Sequence, residues 1–404
     1  MMGTEEKQKI FDLMKSVKDF NEWRKSPEFN ERLLDFSGDD FTAVKLDEIN
    51  LSEAILKETK FIKARLHNAD LTGVNGRFSN FTEADLSSAI LRKGVFRGAT
   101  MKHVNLKGAK LEEASMGRAD LELADMQDAC LNEADLSSTN CERTNFERAQ
   151  LEKVTFRSAS LIRAMFRNAS LFQANFSEAN LEKADMRGAD LRASSFVRAN
   201  LTEVNFKGSD LKGVKMAGAT LKGTVLCESN LSGSSLKYMD LTGFDLEKVN
   251  LSSAELTGAK LVGANLRGAN LSNADLRDAT LKNADLTMAV LTGAKLDKAD
   301  LQGANLEGAN LERAEMTFAN LMGARCVGAS FKSAVLKDTN LIGASLEYAN
   351  IEGTNFMGAN LREVSLLKAH VGLQLINARI TKKQLYDWLE SYFDMLEIIE
   401  DDTP

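Results

Sequence analysis

From Phe36 to Val371 an apolar side chain stands at every fifth position, and Gly76 is the one interruption in 68 positions. The run opens Phe36, Phe41, Leu46, Leu51, Leu56, Phe61, Leu66, Leu71, resumes at Phe81, and reaches its end without insertion or deletion. A period of five fits neither the 3.6-residue repeat of a helix nor the two-residue repeat of a strand. Sustained over this length, it predicts a stacked solenoid in which no unit buries its core alone. The unit reads Ala, Asp or Asn, Leu, then two variable polar residues, as in Ala264-Asn265-Leu266-Arg267-Gly268 and Ala299-Asp300-Leu301-Gln302-Gly303.

Both ends break the pattern. Ile10, Phe11, Met14, Val17 and Phe20 fall at helical spacing, and Ser26-Pro27-Glu28 carries a helix-start signature. Residues 1–35 are therefore expected to form a helical cap, 36–371 the solenoid, and 372–404 a second helical segment. Thr381 and Gln384 form a capping box, after which Leu385, Trp388, Leu389, Tyr392, Phe393 and Leu396 trace one apolar face. That face reads either as a cap over the last coil or as a homodimer interface. An uncovered solenoid end exposes core and unpaired strand edge, so some cover is required.

The repeated unit resembles the A(D/N)LXX motif of the pentapeptide-repeat family, and the resemblance covers about five-sixths of the chain. It implies an all-β solenoid, a right-handed quadrilateral β-helix with four pentapeptides to each square coil. The Leu and the preceding Ala would point inward and the other positions outward. The repeat then makes about 17 coils, which at roughly 4.8 Å each give a rod of ~80 Å. Phe20-Asn21-Glu22-Trp23-Arg24-Lys25, leading into Leu34-Asp35-Phe36-Ser37-Gly38, is similar to the amino-terminal lead-in of bacterial members. Relatives that dimerise through carboxy-terminal elements support the dimer reading by analogy.

In such a coil, residues twenty apart stack. Phe156, Phe176 and Phe196 form one inner column, while Phe146, Phe166 and Phe206 form the opposite one with Met186 between them. Gly76 leaves a void that Phe78 is expected to turn in and fill. Met239, Phe244 and Val249 place bulk at three successive small-residue positions and should swell or bend their coil.

Composition changes this picture little. The two prolines, Pro27 and Pro404, lie outside the repeat, as a hydrogen-bonded ladder requires. No apolar run approaches the ~18 residues of a membrane span. Met1-Met2-Gly3-Thr4-Glu5-Glu6-Lys7 lacks the basic and apolar regions of a signal peptide. Cys130, Cys141, Cys227 and Cys326 show no paired spacing, and Cys141 and Cys326 occupy inward positions. These features lead to the expectation of a reducing cytoplasm, and the family resemblance adds that of a bacterial source.

Catalytic chemistry is not legible. His67, His103 and His370 are far apart, and no phosphate loop, Cys-x-x-Cys pair or nucleophile elbow occurs. The recurrent acids follow the five-residue turn, so no metal, cofactor or enzymatic activity is expected.

Charge carries the remaining signal. Residues 106–155 hold 11 acids and 6 bases, whereas 156–222 hold 6 acids and 11 bases. By the twenty-residue rule Arg167, Arg187 and Lys207 form one column, and Arg143, Arg163 and Lys183 lie in the column before it. These columns read as a solvated face or as a docking site for an acidic partner.

The function expected is a rigid protein-binding scaffold or regulator. The alternative, implied by the resemblance, is a DNA mimic that modulates a type II topoisomerase (DNA gyrase or topoisomerase IV), including protection from quinolones. A formal net charge of −7 and a basic middle argue against mimicry along the whole length. Direct nucleic-acid binding fits the acidic balance least.

Overall fold

The structure, a computed structural model, describes residues 4–27, 29, 33–374, 379, 383 and 386. Two compact units, Met1–Val225 and Leu226–Pro404, are described separately.

In Met1–Val225 each residue before an inward Leu or Phe pairs in parallel with the residue twenty positions on, from Asp35↔Ile55 to Asn205↔Val225. Twenty residues make one coil, so each pentapeptide supplies one side of a square. Leu51 donates its N–H to Asp70 O at 2.8 Å, and Asp70 donates back to Ile49 O at 2.8 Å. The pair of bonds recurs from coil to coil, as Leu71 N–H to Ile90 O at 2.6 Å and Ile90 N–H to Ala69 O at 2.9 Å, and so satisfies the backbone that the coil buries.

The corner after each inward residue is a tight turn. Ala54 N–H donates to Leu51 O at 3.1 Å, and Glu53 between them has φ 59°. A negative φ followed by a positive one defines a type II turn. Among the described residues the left-handed position is held by glycine in 22 corners and by other residues in 45. That conformation costs an L-residue about 1–2 kcal/mol. The ladder imposes it, because the left-handed residue also donates to the next coil, as Glu53 N–H does to Thr72 O at 2.8 Å.

Asp and Asn serve the turn as expected. Asp70 Oδ1 accepts from Thr72 N at 3.0 Å and from Thr72 Oγ1 at 2.6 Å. On one side Asp and Asn alternate up the stack: Asn105 Nδ2 donates to Asp85 Oδ1 at 2.9 Å and Asn145 Nδ2 to Asp125 Oδ1 at 3.2 Å. The alternation places a donor between carboxylates that would otherwise repel.

The core follows the sequence rule, with the inward Leu and Ala buried except at Ala219 and Leu366, which are half-buried. Phe156, Phe176 and Phe196 stack with centroids 5.2 and 4.9 Å apart, and Phe146 stacks on Phe166 at 4.8 Å. The two columns meet edge to face, Phe156 against Phe166 at 5.8 Å. A further column, Phe41, Phe61 and Phe81, stacks at 5.0 and 4.9 Å. Its twenty-residue spacing was equally visible in the sequence.

The expectation for Gly76 is corrected. Phe78 stays outside, 61% exposed, and the buried Phe96 ring of the next coil fills the void. Phe78 occupies the left-handed corner, φ 58°, whose side chain points to solvent, so turning inward would break the turn.

Helices α1 (Thr4–Met14) and α2 (Val17–Lys25) cover the first coil. Phe11 packs on Phe36 and Phe41, with centroids 5.9 and 5.7 Å apart. Asn21 completes the open ladder edge as a neighbouring strand would, donating to Glu48 O at 2.9 Å and accepting from Asn50 N at 2.8 Å. Arg24 donates to Ser52 O at 2.7 Å. Ser26 closes α2 instead of opening a helix: its N–H and hydroxyl both donate to Trp23 O, and Pro27 and Phe29 lie in a turn. Glu28 lies outside the described residues.

In Leu226–Pro404 the same ladder runs from Asn230↔Asn250 to Asn360↔Arg379. Its regular strands, β1 (Asn350–Asn355) and β2 (His370–Gln374), pair in parallel with a register shift between Glu352 and Asn355. The pairing therefore continues past Val371, one residue short of the twenty-residue spacing.

Val249 is buried and Met239 and Phe244 are half-buried. Their coil keeps its turns, with Phe244 N–H to Leu241 O at 3.2 Å, and its ladder, with Asn265 N–H to Phe244 O at 2.9 Å. Lys383 and Tyr386 are helical. Thr381, Gln384, Leu385, Trp388, Leu389, Tyr392, Phe393 and Leu396 lie outside the described residues.

Candidate protein-binding surfaces

Outward side chains sit at the coil corners, and the ladder holds each corner directly over the one twenty residues before it. The two basic columns of 143–207 are thereby rigid, but their charges are unequally free. Asp185 lies between two of the arginines: Arg167 Nε donates to its Oδ2 at 2.6 Å, and Arg187 donates from Nε and Nη2 at 2.9 and 2.8 Å. Burial works against the Asp185 charge, yet the hydrogen bonds from Arg187 and Arg167 hold its pKa at about 2. Lys183 lies 3.2 Å from Glu182 and 3.8 Å from Glu203. Lys207 is exposed at its corner. Arg143 and Arg163, stacked one coil apart, are exposed and have no ion pair among the described residues.

Sequence reasoning missed Asp185. The column rule compares residues twenty apart, whereas an arginine also reaches diagonally to the Asx residue eighteen positions on. Arg65–Asp47 and Arg267–Asp285 show the same spacing in either direction along the chain.

The acidic stretch is also matched, from within and from the coil before it. Arg92 clasps Glu112 through two bonds of 3.0 and 2.8 Å, Arg148 clasps Asp128 at 2.8 and 3.0 Å, and Lys153 meets Glu133 at 2.8 Å. Lys102 sits between Asp120 and Glu122, at 3.2 and 2.8 Å. Glu112, Glu113, Asn132, Glu133, Glu152 and Lys153 line an open polar recess of about 280 Å³. An apolar recess of about 250 Å³ lies where α1 meets the first coil, lined by Phe11, Met14, Phe41, Val44 and Leu46.

No group of three or more metal-ligating side chains gathers among the described residues. Burial pushes the thiols of Cys141 and Cys326 up to about 12, which leaves both inert as small core residues. His67 Nδ1 shares a 2.8 Å hydrogen bond with Ser87 Oγ. No helix among the described residues is long and apolar enough to cross a membrane.

No curated protein matches the chain. Among solved structures it is similar to HetL, a pentapeptide repeat protein involved in heterocyst differentiation regulation from the cyanobacterium Nostoc sp. Strain PCC 7120. The identity is 25% over 68% of this chain and 90% of that one, with a TM-score of 0.28. QnrB1, a plasmid-mediated fluoroquinolone resistance protein, is 16% identical over 52% of this chain and 92% of its own, with a TM-score of 0.29. Rfr23 of the cyanobacterium Cyanothece 51142 is 28% identical over 37% and 90%, with a TM-score of 0.19.

The family model for pentapeptide repeats matches residues 35–75, resumes at 79–118 beyond the Gly76 irregularity, and continues in successive stretches to 324–362. With the five-residue period, the twenty-residue ladder and the type II corners, that coverage places the chain in the pentapeptide-repeat family, whose members fold as right-handed quadrilateral β-helices.

Proposed function

We propose that this protein is a non-enzymatic scaffold or regulator of the bacterial cytoplasm that binds another protein through its β-helix surface. The docking face is the basic stripe of Arg143, Arg163, Arg167, Lys183, Arg187 and Lys207. The observation that carries this reading is the pair Arg143 and Arg163, exposed one coil apart without an ion pair among the described residues. Unit charges ~4.8 Å apart repel by roughly 0.9 kcal/mol even in water. An acidic partner would relieve that repulsion while gaining two charge-assisted contacts on a backbone that does not reorganise. The test is affinity capture from source-cell lysate at low and high salt, using the unaltered chain and Arg143→Glu with Arg163→Glu. A salt-sensitive partner lost from the reversed variant supports the reading. A partner retained equally by both forms assigns the stripe to solvent.

The second reading is modulation of DNA gyrase or topoisomerase IV. It rests on the acidic stretch 106–155, whose net of −5 spreads over two and a half coils, roughly 12 Å. Duplex DNA carries about seven charges over that length, so this segment approaches duplex density where the whole chain does not. QnrB1, named for fluoroquinolone resistance, supplies the analogy. Capture of gyrase subunits by the unaltered chain, with retention by the reversed variant, would favour this alternative.

A further inference from the structure

Phe78 is the one exposed aromatic among the described residues of Met1–Val225. Its ring reaches over the next coil, with Cε1 2.7 Å and Cδ1 2.8 Å from where a β-carbon on Gly98 would stand. Arg77 precedes it in the chain, Arg97 stacks over Arg77, and Arg118 follows Gly98 in the Phe78 column. All three arginines are exposed, and none of their guanidinium groups makes an ion pair or hydrogen bond among the described residues. That contrasts with Arg92, Arg148 and Arg187, each clasped by a carboxylate. The outward positions between them, Asn75, Asn80, Val95, Thr100 and Ser115, carry no charge. Acids stand only at its rim: Asp135 Oδ2 and Arg97 Nη2 each lie 3.6 Å from where a β-carbon on Gly117 would stand, Glu58 is 3.4 Å from Lys57, and Asp120 is 3.2 Å from Lys102.

We propose that this corner is a docking site for an acidic protein segment bearing an aromatic or aliphatic side chain. The segment's carboxylates meet Arg77, Arg97 and Arg118, and its apolar side chain covers Phe78. Guanidinium forks suit carboxylates because two parallel N–H donors match two oxygens. An exposed ring ringed by cations supplies the apolar centre and polar rim of a small interface. Arg97 and Phe78 are already seated on glycines, Gly117 and Gly98, so little order remains to be imposed on binding.

A nucleic acid fits less well. Three cations fall short of the six to ten phosphate contacts of ordinary DNA binders, and a net charge of −7 opposes approach of a polyanion. The inference rests on the reading of the chain as a protein-binding scaffold, but it names a different corner from the basic stripe.

Fluorescence anisotropy on the full chain tests it. The probes are a labelled peptide alternating glutamate with phenylalanine, its glutamine counterpart, and a labelled oligothymidylate. The glutamate peptide should bind, and more weakly as salt rises. Arg77→Glu with Arg97→Glu, and separately Phe78→Ser, should each weaken it roughly tenfold or more. Arg143→Glu with Arg163→Glu, on the basic stripe, is measured beside them to locate the peptide on one surface or the other.

Four results would overturn the proposal: no binding, equal binding of the glutamine peptide, tighter binding of oligothymidylate, or indifference to the three substitutions. Loss of binding only in the Arg143 and Arg163 variant would sink this corner while leaving the scaffold reading on the stripe. The substituted side chains are exposed, and far-UV circular dichroism confirms that each variant remains folded.

Discussion

The ring of Phe96 occupies the space that Gly76 vacates, with Cδ1 2.8 Å and Cε1 3.0 Å from where a β-carbon on Gly76 would stand. The one missing core side chain is thus compensated from the coil above. Ser79 reinforces the site by donating its hydroxyl to Gly76 O at 2.5 Å. Gly76→Ala should therefore destabilise the protein, although alanine is smaller than the leucine found at equivalent positions. Overpacking of this kind costs about 1–3 kcal/mol. Combining Gly76→Leu with Phe96→Ala should recover much of the loss, because volume is exchanged between stacked coils. Urea denaturation of the two variants beside the unaltered protein decides it, and a neutral Gly76→Ala would mean that Phe96 can move aside freely.

Serine and threonine at the small inward position normally find a carbonyl. Thr144 Oγ1 donates to Leu121 O at 2.7 Å, and Ser209 Oγ donates to Phe206 O at 2.7 Å. Ser194 is fully buried, yet its Oγ has no partner. Ser194→Ala restores the residue type of its neighbours and removes a desolvated hydroxyl, so stability should rise by about 1 kcal/mol. Ser209→Ala serves as the control, since it removes a satisfied hydroxyl together with its hydrogen bond. Its denaturation midpoint should stay level or fall. A lower midpoint for Ser194→Ala would show that the hydroxyl is bonded in solution.

How far the molecule could be read in advance depended on which forces act along the repeat. Leu46 and Leu51 were identifiable as inward because burial recurs with the backbone period, whatever lies between them. The phenylalanine columns followed from the same twenty-residue arithmetic. Phe78 was misjudged because the corner conformation, rather than side-chain hydrophobicity, sets its direction. The corners themselves gave no glycine signature, since the ladder forces residues such as Glu53 and Arg163 into left-handed geometry. Surface pairing was least legible. Asp185 and Arg167 are linked on an eighteen-residue diagonal, which the five- and twenty-residue periods of the core do not contain.

Acid should weaken both units through individual aspartates. Two hydrogen bonds from Arg277, Nε to Oδ1 at 2.8 Å and Nη2 to Oδ2 at 2.6 Å, hold Asp275 at about 2 instead of 3.8. Asp185 reaches the same value against the opposing effect of burial. Because each folded-state pKa lies below the unfolded one, the stabilisation is complete above pH ~4 and disappears as pH falls through ~2. Solvent screening limits each carboxylate to about 1 kcal/mol or less. Asp185→Asn with Asp275→Asn should therefore lose stability less steeply than the unaltered protein between pH 4 and pH 2. Parallel denaturation midpoints across that window would show that neither carboxylate is held by its arginines in solution.

The carboxy-terminal apolar face offers the plainest test of assembly. If Leu385, Trp388, Leu389, Tyr392, Phe393 and Leu396 form the single apolar face that their spacing predicts, it exceeds what a narrow coil needs to shield its last layer, and we propose a second copy as the cover for the surplus. A two-fold pair would bury each face against itself, which favours a closed dimer over a filament. Light scattering should then report twice the 44.3 kDa of one chain. Trp388→Asp with Leu389→Asp should reduce the mass to a single chain, since paired carboxylates cannot be buried across a two-fold axis without large cost. Far-UV circular dichroism should change little, because both residues lie beyond the repeat. A single-chain mass before substitution would leave the face as a cap alone, and the double variant should then lower thermal stability instead of changing mass.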